Sequence, residues 1–429
     1  MTLPVSQMIS VEEARDRILQ LIDRMPSYLT PVDEALGQVL ANKVIAPFDI
    51  PPLDNTAMDG YAVRASDTQG ANTHHPVRLK VIADLAAGYI AKQEVGENEA
   101  IRIMTGAAIP KGADAIVPFE ETDEQSQKLP EKGKLQTHVN ILKAAKKDAN
   151  IRFRGEDIRE KQTILEAGRI IRASEIGVLS SIGLTKIEIF RKPVIAILST
   201  GDEIVTPGEE RNPGQIYDAN TQMLAALVKQ FGGIPLVLGI AKDTVDDLTL
   251  KLRSGFNADM IVTSAGVSRG DFDVVKDVLA NEGVIDFWTV RMKPGKPLAF
   301  GTFHTATGKT IPHLGLPGNP VSSMVAFELF GRPALYKMQG RSDWERPVIQ
   351  AITQDKIVNT DGRRFFARCI VSEDANGTLI ASLTGPQGSG ILTSMSAANG
   401  LTIIPEETPQ VEPGEHINVM MLDWEQKLF

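Results

Sequence analysis

The stretch PVIAILSTGDE, residues 193–203, joins an aliphatic run directly to a loop of small and polar residues. Similar junctions follow at ADMIVTSAG, residues 258–266, and at HLGLPGNP, residues 313–320, with a further apolar run, IPLVLGI, at 234–240. Segments with helical spacing separate these runs, as in NTQMLAALVKQFGG, residues 220–233. Regular alternation of apolar runs with helices predicts a doubly wound, mostly parallel α/β sheet with helices on both faces.

The rest of the chain divides into regions of different texture. VEEARDRILQLIDRM, residues 11–25, has helical spacing after Ser10, which predicts a helix capped by that serine, and PVDEALGQVLANKVIA, residues 31–46, predicts a second, shorter helix. Residues from 46 to about 150 form short apolar runs broken by glycine and proline, which predict a β-rich region. After Arg341 no helical period is sustained, and runs such as FFARCIVS predict a small antiparallel sheet or barrel.

Composition limits the classes of protein to which the chain can belong. A chain of 429 residues with 42% hydrophobic residues can bury more than one core, and its length suggests roughly two to four domains. A formal net charge of −9 argues against nucleic acid or an acidic membrane as a partner. No window approaches the ~20 apolar residues of a membrane span, and no export signal is recognised, so we expect a cytoplasmic protein. We interpret Cys369, the single cysteine, as a small core residue.

Ligands of an open parallel sheet bind beyond the carboxyl ends of its strands, so the loops that follow the apolar runs are the first candidates for a site. Glycine allows a backbone to approach an oxyanion, serine and threonine add hydroxyl donors, and a helix start adds free amides. The loops therefore predict a rim that binds a phosphate-bearing ligand, although the turn at 317–320, taken alone, is equally explained as a tight connection. The predicted substrate-binding residues of this rim are Thr200, Gly201, Asp202, Ser264, Gly266, Ser268, Pro317, Gly318, Asn319 and Pro320.

Charged residues lie in or near the same loops. RMKPGKPLAFG, residues 291–301, places Lys293 and Lys296 on a proline-stiffened turn that would suit an anion, although such a pair is more often simply solvated. Acids in the rim supply the hard oxygen ligands that Mg²⁺ prefers beside a phosphate, although acids at helix starts are also common caps. These acids are Asp202, Glu203, Asp271 and Asp273.

Seven blocks follow one another along the chain: DNTAMDGYAV, IRIMTGAAIPKGADAIVPFE, RFRGEDI, STGDE, SAGVSRGDFD, KPGKPLAFG and LPGNPVSS. In this order they resemble the MoeA family, the molybdopterin molybdenumtransferases of molybdenum-cofactor synthesis, over nearly the whole chain. STGDE alone is a weak signal, because related molybdopterin- and nucleotide-binding domains share it. The resemblance implies a homodimer with four parts in each protomer: a discontinuous, elongated linker domain at 1–45 and 146–190, an inserted β-rich domain at 46–145, a molybdopterin-binding α/β domain at 191–337 and a C-terminal β-barrel at 338–429.

The resemblance also implies a reaction. Adenylated molybdopterin and molybdate would react, with Mg²⁺, to give molybdenum cofactor and AMP, in a cleft between the α/β domain of one subunit and the β-rich domain of the other. A separate molybdopterin adenylyltransferase would supply the adenylated substrate. Molybdoenzyme apoproteins or their chaperones are candidate recipients of the product.

Matching positions carry the family's roles onto particular residues. The resemblance implies catalytic roles for Asp59, Asp157, Glu203 and Asp273. It adds Thr105 to the substrate-binding residues and implies Mg²⁺ ligands among Asp243, Asp271 and Asp273. The implied molybdate pocket consists of Lys293, Lys296, Pro297, Ser322, Arg368 and Ser394.

The chain departs from the family pattern at two positions, and two other readings stay open. Ala265 stands where the family often has a second glycine, and Arg269 stands where a small or aliphatic residue is usual. One alternative is a non-enzymatic scaffold, since gephyrin-like proteins use a similar domain to bind receptor tails. The other is a CinA-type hydrolase of pyridine nucleotides, which shares the α/β domain but does not account for DNTAMDGYAV or the C-terminal β region.

Overall fold

The computed structural model describes residues 8–124, 136–265, 278–279 and 281–422, and the chain divides into two units. The first unit comprises Met1–Asn42, Gly168–Ile176 and Thr185–Phe429, and the second comprises Lys43–Ala167 and Gly177–Leu184. The second unit is therefore inserted in the sequence of the first. The predicted division into four domains is finer than this one, and its boundaries stay a prediction.

The described helices and strands are numbered in chain order. The helices are α1 (Val11–Gln20), α2 (Ala173–Ser181), α3 (Ala219–Gln230), α4 (Val245–Ser254), α5 (Pro320–Ala326), α6 (Arg332–Met338) and α7 (Leu392–Ala397), with a π-helical turn at Phe327–Gly331. The strands as far as the α/β region are β1 (Ser27–Pro31), β2 (Val44–Ile45), β3 (Asn55–Thr56), β4 (Gly60–Val63), β5 (Val77–Leu85), β6 (Glu99–Ile103), β7 (Ala115–Pro118), β8 (His138–Ile141), β9 (Ile151–Arg152), β10 (Thr163–Leu165) and β11 (Lys186–Phe190). The remaining strands are β12 (Val194–Thr200), β13 (Ile204–Val205), β14 (Ile216–Tyr217), β15 (Ile234–Ala241), β16 (Met260–Ser264), β17 (Gly283–Thr289), β18 (Met292–Lys293), β19 (Pro297–His304), β20 (Thr310–Leu316), β21 (Val348–Thr353), β22 (Ile357–Val358), β23 (Arg364–Phe365), β24 (Arg368–Glu373), β25 (Leu379–Leu383), β26 (Gly400–Ile403), β27 (Gln410–Val411) and β28 (His416–Met421). Every helix in the described parts of the chain is too short or too polar to traverse a lipid bilayer.

The first predicted helix is confirmed, and the second is wrong. Helix α1 begins after Ser10, whose side chain accepts a hydrogen bond from the Glu13 amide at 3.0 Å. Residues 31–46 contain no α-helix; their one helical segment is a three-residue 3₁₀ turn, Val32–Glu34, and strand β2 follows at Val44–Ile45. Gly37 then takes a positive φ of 74°, and its amide donates to the Ile171 carbonyl at 2.8 Å. Hydrogen bonds to distant parts of the chain therefore decide the conformation of this segment, and it does not form the helix that its spacing predicts.

Six strands of the first unit form one sheet in the order β15-β12-β16-β20-β19-β17. Strands β15, β12, β16 and β20 are parallel, and β19 is antiparallel to both of its neighbours. Ile195 and Ile197 pack in a core with residues of α3, whereas Ala196 and Leu198 pack in a core with residues of α4. Because successive side chains of a strand face opposite sides, helices cover both faces. The predicted doubly wound, mostly parallel sheet is confirmed.

The second unit contains a five-stranded sheet in the order β7-β4-β6-β5-β8. A bulge interrupts β5 between Val81 and Ala83. Leu79 and Val81 pack in one core of this unit, and Leu85 packs in the other. An extra residue reverses the face to which the following side chains point, so one strand serves both cores. The predicted β-rich region is confirmed.

A closed barrel of strands β21, β25, β24, β26 and β28 follows the α/β region, as predicted. Cys369 of β24 is fully buried in the barrel core, where burial raises the pKa of its thiol to about 12. The interpretation of this cysteine as a core residue is confirmed. Helix α7 was not predicted, because its six residues are too few to establish a helical period.

Candidate functional site

A cavity of about 410 Å³ lies at the carboxyl ends of the parallel strands, and we call it the rim cavity. Residues after β12, β16 and β20 all contribute to its wall, so the three predicted loops meet there as expected from sheet topology. The predicted site residues that line it are Thr200, Glu203, Ser264, Pro297, Pro317, Gly318, Asn319, Pro320 and Ser322. Further lining residues were not predicted: Ser199, Ile204, Ile216, Tyr217, Asp218, Ala219, Asn220 and Ala265.

Asp218 fixes the start of α3 beside the cavity. Its carboxylate accepts hydrogen bonds from the Thr221 amide at 3.0 Å and the Thr221 hydroxyl at 2.6 Å. The Ser199 hydroxyl lies 3.2 Å from the same carboxylate. All three residues are buried, so the end of β12 and the first turn of α3 form one rigid wall. The N-cap preference for aspartate before a helical segment was a signal that could have found Asp218 in the sequence.

Asn220 joins two other parts of the wall. Its side-chain Nδ2 donates to Ser264 Oγ at 2.7 Å and to the Gly318 carbonyl at 2.6 Å. Its Oδ1 is buried and has no hydrogen-bond partner within the described part of the chain. Nothing in the sequence distinguishes this asparagine from an ordinary residue in the first turn of a helix.

The loop after β16 and the turn at 317–320 are in close contact. Ala265 has a φ of 77°, in the region that favours glycine. A Cβ placed on Gly318 would lie 3.3 Å from Ala265 Cβ, so the turn can approach the loop because Gly318 has no side chain.

The turn at 317–320 leads directly into α5, with Pro320 as its first residue. The prediction that the first helical amides await an anion is wrong for two of them. Pro320 has no N–H, and the Val321 amide donates to the Ser389 carbonyl at 3.2 Å. Asn319 Nδ2 also donates to Ser389 Oγ at 3.1 Å. A segment close to α7 therefore braces the turn from outside the cavity.

Lys293 ends β18, and Lys296 lies at the end of the short connection that leads to β19. Gly295, between them, has a φ of 96°, and a Cβ there would lie 3.4 Å from the Ser322 carbonyl oxygen. The connection thus passes beside the start of α5. Lys293 Nζ lies 4.6 Å from the centroid of the Phe365 ring and 3.7 Å from Asp361 Oδ2, so it is oriented by neighbours rather than simply solvated.

Arg368 and Ser394 lie together in the barrel region. Arg368 is fully buried, and its Nε donates to Ser394 Oγ at 2.9 Å. Its terminal nitrogens donate to the carbonyls of Gln387 at 3.1 Å, Gly388 at 2.9 Å and Pro386 at 3.4 Å. Burial lowers the pKa of Arg368, and no carboxylate of the described chain pairs with it. A molybdate contact at this guanidinium would therefore exchange with bonds to the 386–388 carbonyls.

The acids near the rim cavity are the candidate Mg²⁺ ligands of the described residues. Glu203 lines the cavity, and Asp202 Oδ1 accepts a hydrogen bond from the Asp243 amide at 3.3 Å, which brings the loops after β12 and β15 together. Within the described ranges, no three His, Cys, Asp or Glu residues form a group that could hold a metal. Asp271 and Asp273 lie outside the described residues, as do Gly266, Ser268 and Arg269.

The second unit holds the other predicted catalytic residues. Asp59 Oδ1 accepts hydrogen bonds from the Thr105 amide at 2.6 Å and the Thr105 hydroxyl at 2.7 Å. These two donors lower the pKa of Asp59, so an exposed carboxylate is held in one orientation and kept ionised. Asp157 is also exposed, and its amide donates to the Ile50 carbonyl at 3.0 Å. Asp59 and Thr105, which are far apart in sequence, thus form one cluster.

The chemistry of the rim cavity suits a polar ligand with a flat ring. Hydroxyls of Thr200, Ser264 and Ser322 are donors for phosphate oxygens. Ile216 and Tyr217 line the same cavity with 56% and 48% of their surfaces exposed, and an exposed aromatic ring can stack on a heterocycle. Among the described lining residues the charged groups are acids, so an anion there requires the neighbouring lysines or a cation.

Comparison with known proteins places these features in a family. Models of the MoeA N-terminal region (domain I and II), a probable molybdopterin binding domain and the MoeA C-terminal region (domain IV) match residues 9–183, 196–337 and 350–422. The chain is 37% identical to molybdopterin molybdenumtransferase 2 of Mycobacterium tuberculosis, over 96% of this chain and 99% of that protein. It is 34% identical to the molybdopterin molybdenumtransferase of a Nostoc species, over 98% of this chain and 95% of that protein.

A solved structure supports the same assignment. The molybdopterin biosynthesis MoeA protein of Pyrococcus horikoshii superposes on this chain with a TM-score of 0.79 and 31% sequence identity. The superposition covers 96% of this chain and 100% of that chain. The similarity thus extends through the β-rich, α/β and barrel regions together. With relatives above 30% identity along nearly its whole length, the chain belongs to the MoeA family.

Proposed function

We propose that this protein inserts molybdate into adenylated molybdopterin, releasing AMP and forming molybdenum cofactor in an Mg²⁺-dependent reaction. Its curated relatives bear the name molybdopterin molybdenumtransferase, an enzyme. The observation that most supports the proposal is the rim cavity, where the motif residues of three separate loops line one space. Its hydroxyl donors and exposed ring suit a ligand with both phosphate and heterocycle.

The molybdate end of the proposed site lies toward the barrel. Lys293 and Lys296 flank a turn that passes beside Ser322, and oriented cations can receive an oxoanion without protonating it. Arg368 adds a buried positive charge next to Ser394. Burying a cation without a carboxylate partner costs free energy unless an anion compensates the charge. This cost supports an oxoanion as the ligand of this region.

The described residues offer Mg²⁺ single carboxylates rather than a complete set of protein ligands, so in this proposal the substrate supplies the other ligands. Glu203, Asp202 and Asp243 offer carboxylates near the cavity, and Mg²⁺ typically uses one or two carboxylates together with substrate phosphates and water. When bound, Mg²⁺ would neutralise charge on the phosphoanhydride and on the departing AMP.

The protein's own residues bind and orient the substrate in this proposal. Thr200 and Ser264 donate hydrogen bonds to phosphate oxygens, and the braced turn at 317–320 fixes the wall against which the substrate lies. In the second unit Asp59, held by Thr105, acts as an ionised polar group of the active cleft together with Asp157. Preorganised donors and charges of this kind are usually the largest contribution to catalysis.

Membership of the MoeA family supports a proposal about the biological setting. We propose a cytoplasmic homodimer that receives adenylated molybdopterin from a separate molybdopterin adenylyltransferase. Molybdoenzyme apoproteins or their chaperones would then take up the finished cofactor.

The decisive experiment incubates the purified protein with adenylated molybdopterin and Mg²⁺ and measures AMP release with and without molybdate. We expect release that requires molybdate and that EDTA abolishes. Tight binding of the pterin without AMP release in either condition would favour the scaffold alternative. Deamidation of a pyridine nucleotide would favour the CinA-type alternative, which leaves the matches at residues 9–183 and 350–422 unexplained.

A further inference from the structure

Three walls of the rim cavity meet at one side chain. Asn220 is the second residue of α3, and its Nδ2 reaches Ser264 at the end of β16 and the Gly318 carbonyl in the turn after β20. The helix that carries it is fixed to the end of β12 by Asp218. One amide therefore connects the carboxyl ends of three strands.

Hydrogen-bond chemistry determines the direction of both bonds. A carbonyl oxygen only accepts, so the nitrogen of the Asn220 amide must face Gly318. The second hydrogen of Nδ2 then points to Ser264 Oγ, which acts as an acceptor. The hydroxyl hydrogen of Ser264 is consequently available for another acceptor, and Ser264 lines the cavity.

The two hydrogen bonds of Asn220 are made at a cost in folding free energy, so a contribution to stability alone does not explain them. With Nδ2 committed to two acceptors, Asn220 Oδ1 is buried and finds no hydrogen-bond partner among the residues that the structure describes. Buried polar atoms in folded proteins are nearly always paired, and each exception calls for an explanation. An alanine at this helix position would avoid the unpaired oxygen but would release both the hydroxyl and the turn.

We infer that Asn220 is a positioning residue that sets the distance between Ser264 and the 317–320 turn and directs the Ser264 hydroxyl hydrogen into the rim cavity. This inference rests on the proposed function, because it assigns Ser264 as a donor to a phosphate oxygen of the adenylated substrate. It predicts that Asn220 acts on the organic substrate rather than on molybdate, because neither of its two partners, Ser264 and the Gly318 carbonyl, is a proposed molybdate ligand.

The test uses Asn220→Asp, which keeps the shape of the side chain but replaces the NH2 group, the source of both donated hydrogens, with a carboxylate oxygen. The new carboxylate would repel the Gly318 carbonyl and would accept the Ser264 hydrogen, reversing that hydrogen bond. We expect kcat/KM for adenylated molybdopterin to fall at least tenfold, while the half-saturating molybdate concentration changes less than twofold. Calorimetric titration should show that the affinity for AMP falls by a similar factor. This measurement does not depend on turnover.

Three comparisons keep the inference falsifiable. Gln222→Glu makes the same amide-to-carboxylate change on an exposed position of the same helix and should leave both parameters unchanged. Asn220→Ala, which introduces no charge, should reproduce the loss in part. In a double-mutant cycle with Ser264→Ala, the losses in kcat/KM of the two single variants should be clearly less than additive, because the asparagine acts through the serine.

The outcomes separate this inference from the proposed function. If the wild-type protein releases no AMP and binds none, the proposed function itself fails. If the wild-type protein is active and Asn220→Asp retains its kcat/KM and AMP affinity, the positioning role is overturned. A lower unfolding temperature with unchanged kinetics would likewise overturn it, because that result describes a purely structural residue.

Discussion

Ala265 has a backbone conformation that residues with a side chain rarely adopt. Its φ of 77° brings Cβ close to the carbonyl oxygen and costs roughly 1–2 kcal/mol. Glycine removes that strain but gains freedom in the unfolded chain, which offsets part of the benefit. We expect Ala265→Gly to raise the free energy of unfolding by roughly 0.5–1 kcal/mol, measured by urea denaturation.

A second alanine provides the control for this prediction. Ala226 is exposed in the interior of α3, where glycine should instead lower the free energy of unfolding by about 1 kcal/mol. Equal losses from both substitutions would show that the backbone of Ala265 is not strained.

Residues differ in how well the sequence could identify them. Thr200, Ser264 and Gly318 follow apolar runs, so sheet topology alone predicted that they would line one cavity, and they do. Asn220 escaped prediction because its role depends on two partners, 44 and 98 residues away in the chain. The pairing of Arg368 with the 386–388 carbonyls was equally invisible, since an isolated arginine in a β-rich segment is most simply a surface residue.

Strand β20 carries a histidine whose burial should make the central sheet sensitive to acid. His313 is fully buried, with Nε2 3.0 Å from Thr263 Oγ1, and its Nδ1 has no hydrogen-bond partner in the described ranges. Burial lowers the pKa of His313 to about 3, whereas an unfolded histidine has a pKa of about 6.5. Below pH 6.5 the unfolded state therefore binds more protons. Stability should fall by about 1.4 kcal/mol per pH unit on acidification, until the folded pKa is reached.

Replacing the histidine isolates this contribution. On acidification from pH 7 to pH 5, we expect the free energy of unfolding of His313→Met to fall by about 2 kcal/mol less than that of the wild-type protein. This difference should hold whatever the stability of the variant at pH 7. Ile311→Met, a change in the same strand that adds and removes no titratable group, should leave the pH dependence unchanged. Parallel pH profiles for wild type and His313→Met would show that this histidine is already free to protonate in the folded sheet.

The connection between the barrel and α5 is a second element with a testable function. Arg368 of β24 fixes the carbonyls of 386–388, and Ser389 in turn accepts hydrogen bonds from Asn319 and the Val321 amide. Lysine lacks the fork of donors that spans these carbonyls. We expect Arg368→Lys to accelerate hydrogen–deuterium exchange in peptides covering 385–391 and the start of α5. It should also raise the half-saturating molybdate concentration roughly tenfold.

A surface arginine supplies the matched control for the barrel variant. Arg253 of α4 pairs with Glu282 at 2.9 Å, and Arg253→Lys should change neither exchange in these peptides nor molybdate use. Unchanged exchange in Arg368→Lys would mean that other contacts hold the segment. Faster exchange with normal molybdate use would remove Arg368 from the proposed molybdate pocket.

Elements were predictable where local signals agreed with tertiary structure. Helix α1 combined helical spacing with a serine cap, and both are present. Residues 31–46 had the spacing but contain Gly37, and pairing with residues near 170 and 189 decides their conformation. The bulge in β5 was also beyond local reasoning, because its cause is the need to fill two cores from one strand.

At the scale of the whole molecule, alternation of apolar runs and helices was sufficient for the α/β sheet, but it carries no information about assembly. The assembly stays a prediction from the family resemblance, which implies an active cleft between the α/β domain of one subunit and the β-rich domain of the other. Two variants that we expect to be inactive can test this prediction, because Asp59 belongs to the second unit and Lys296 to the first. Asp59→Asn removes the carboxylate that Thr105 orients, and Lys296→Ala removes a proposed molybdate ligand.

Each variant alone should show almost no molybdate-dependent AMP release while remaining folded. After subunit exchange in an equimolar mixture, half of the dimers are mixed, and each mixed dimer has one cleft with both native halves, so activity should recover to about a quarter of wild type. Lys293→Ala mixed with Lys296→Ala should recover nothing, because both changes affect the same half of the cleft. If exchange is demonstrated with affinity tags and the first mixture stays inactive, each active site is built within one chain and the inter-subunit cleft is wrong for this protein.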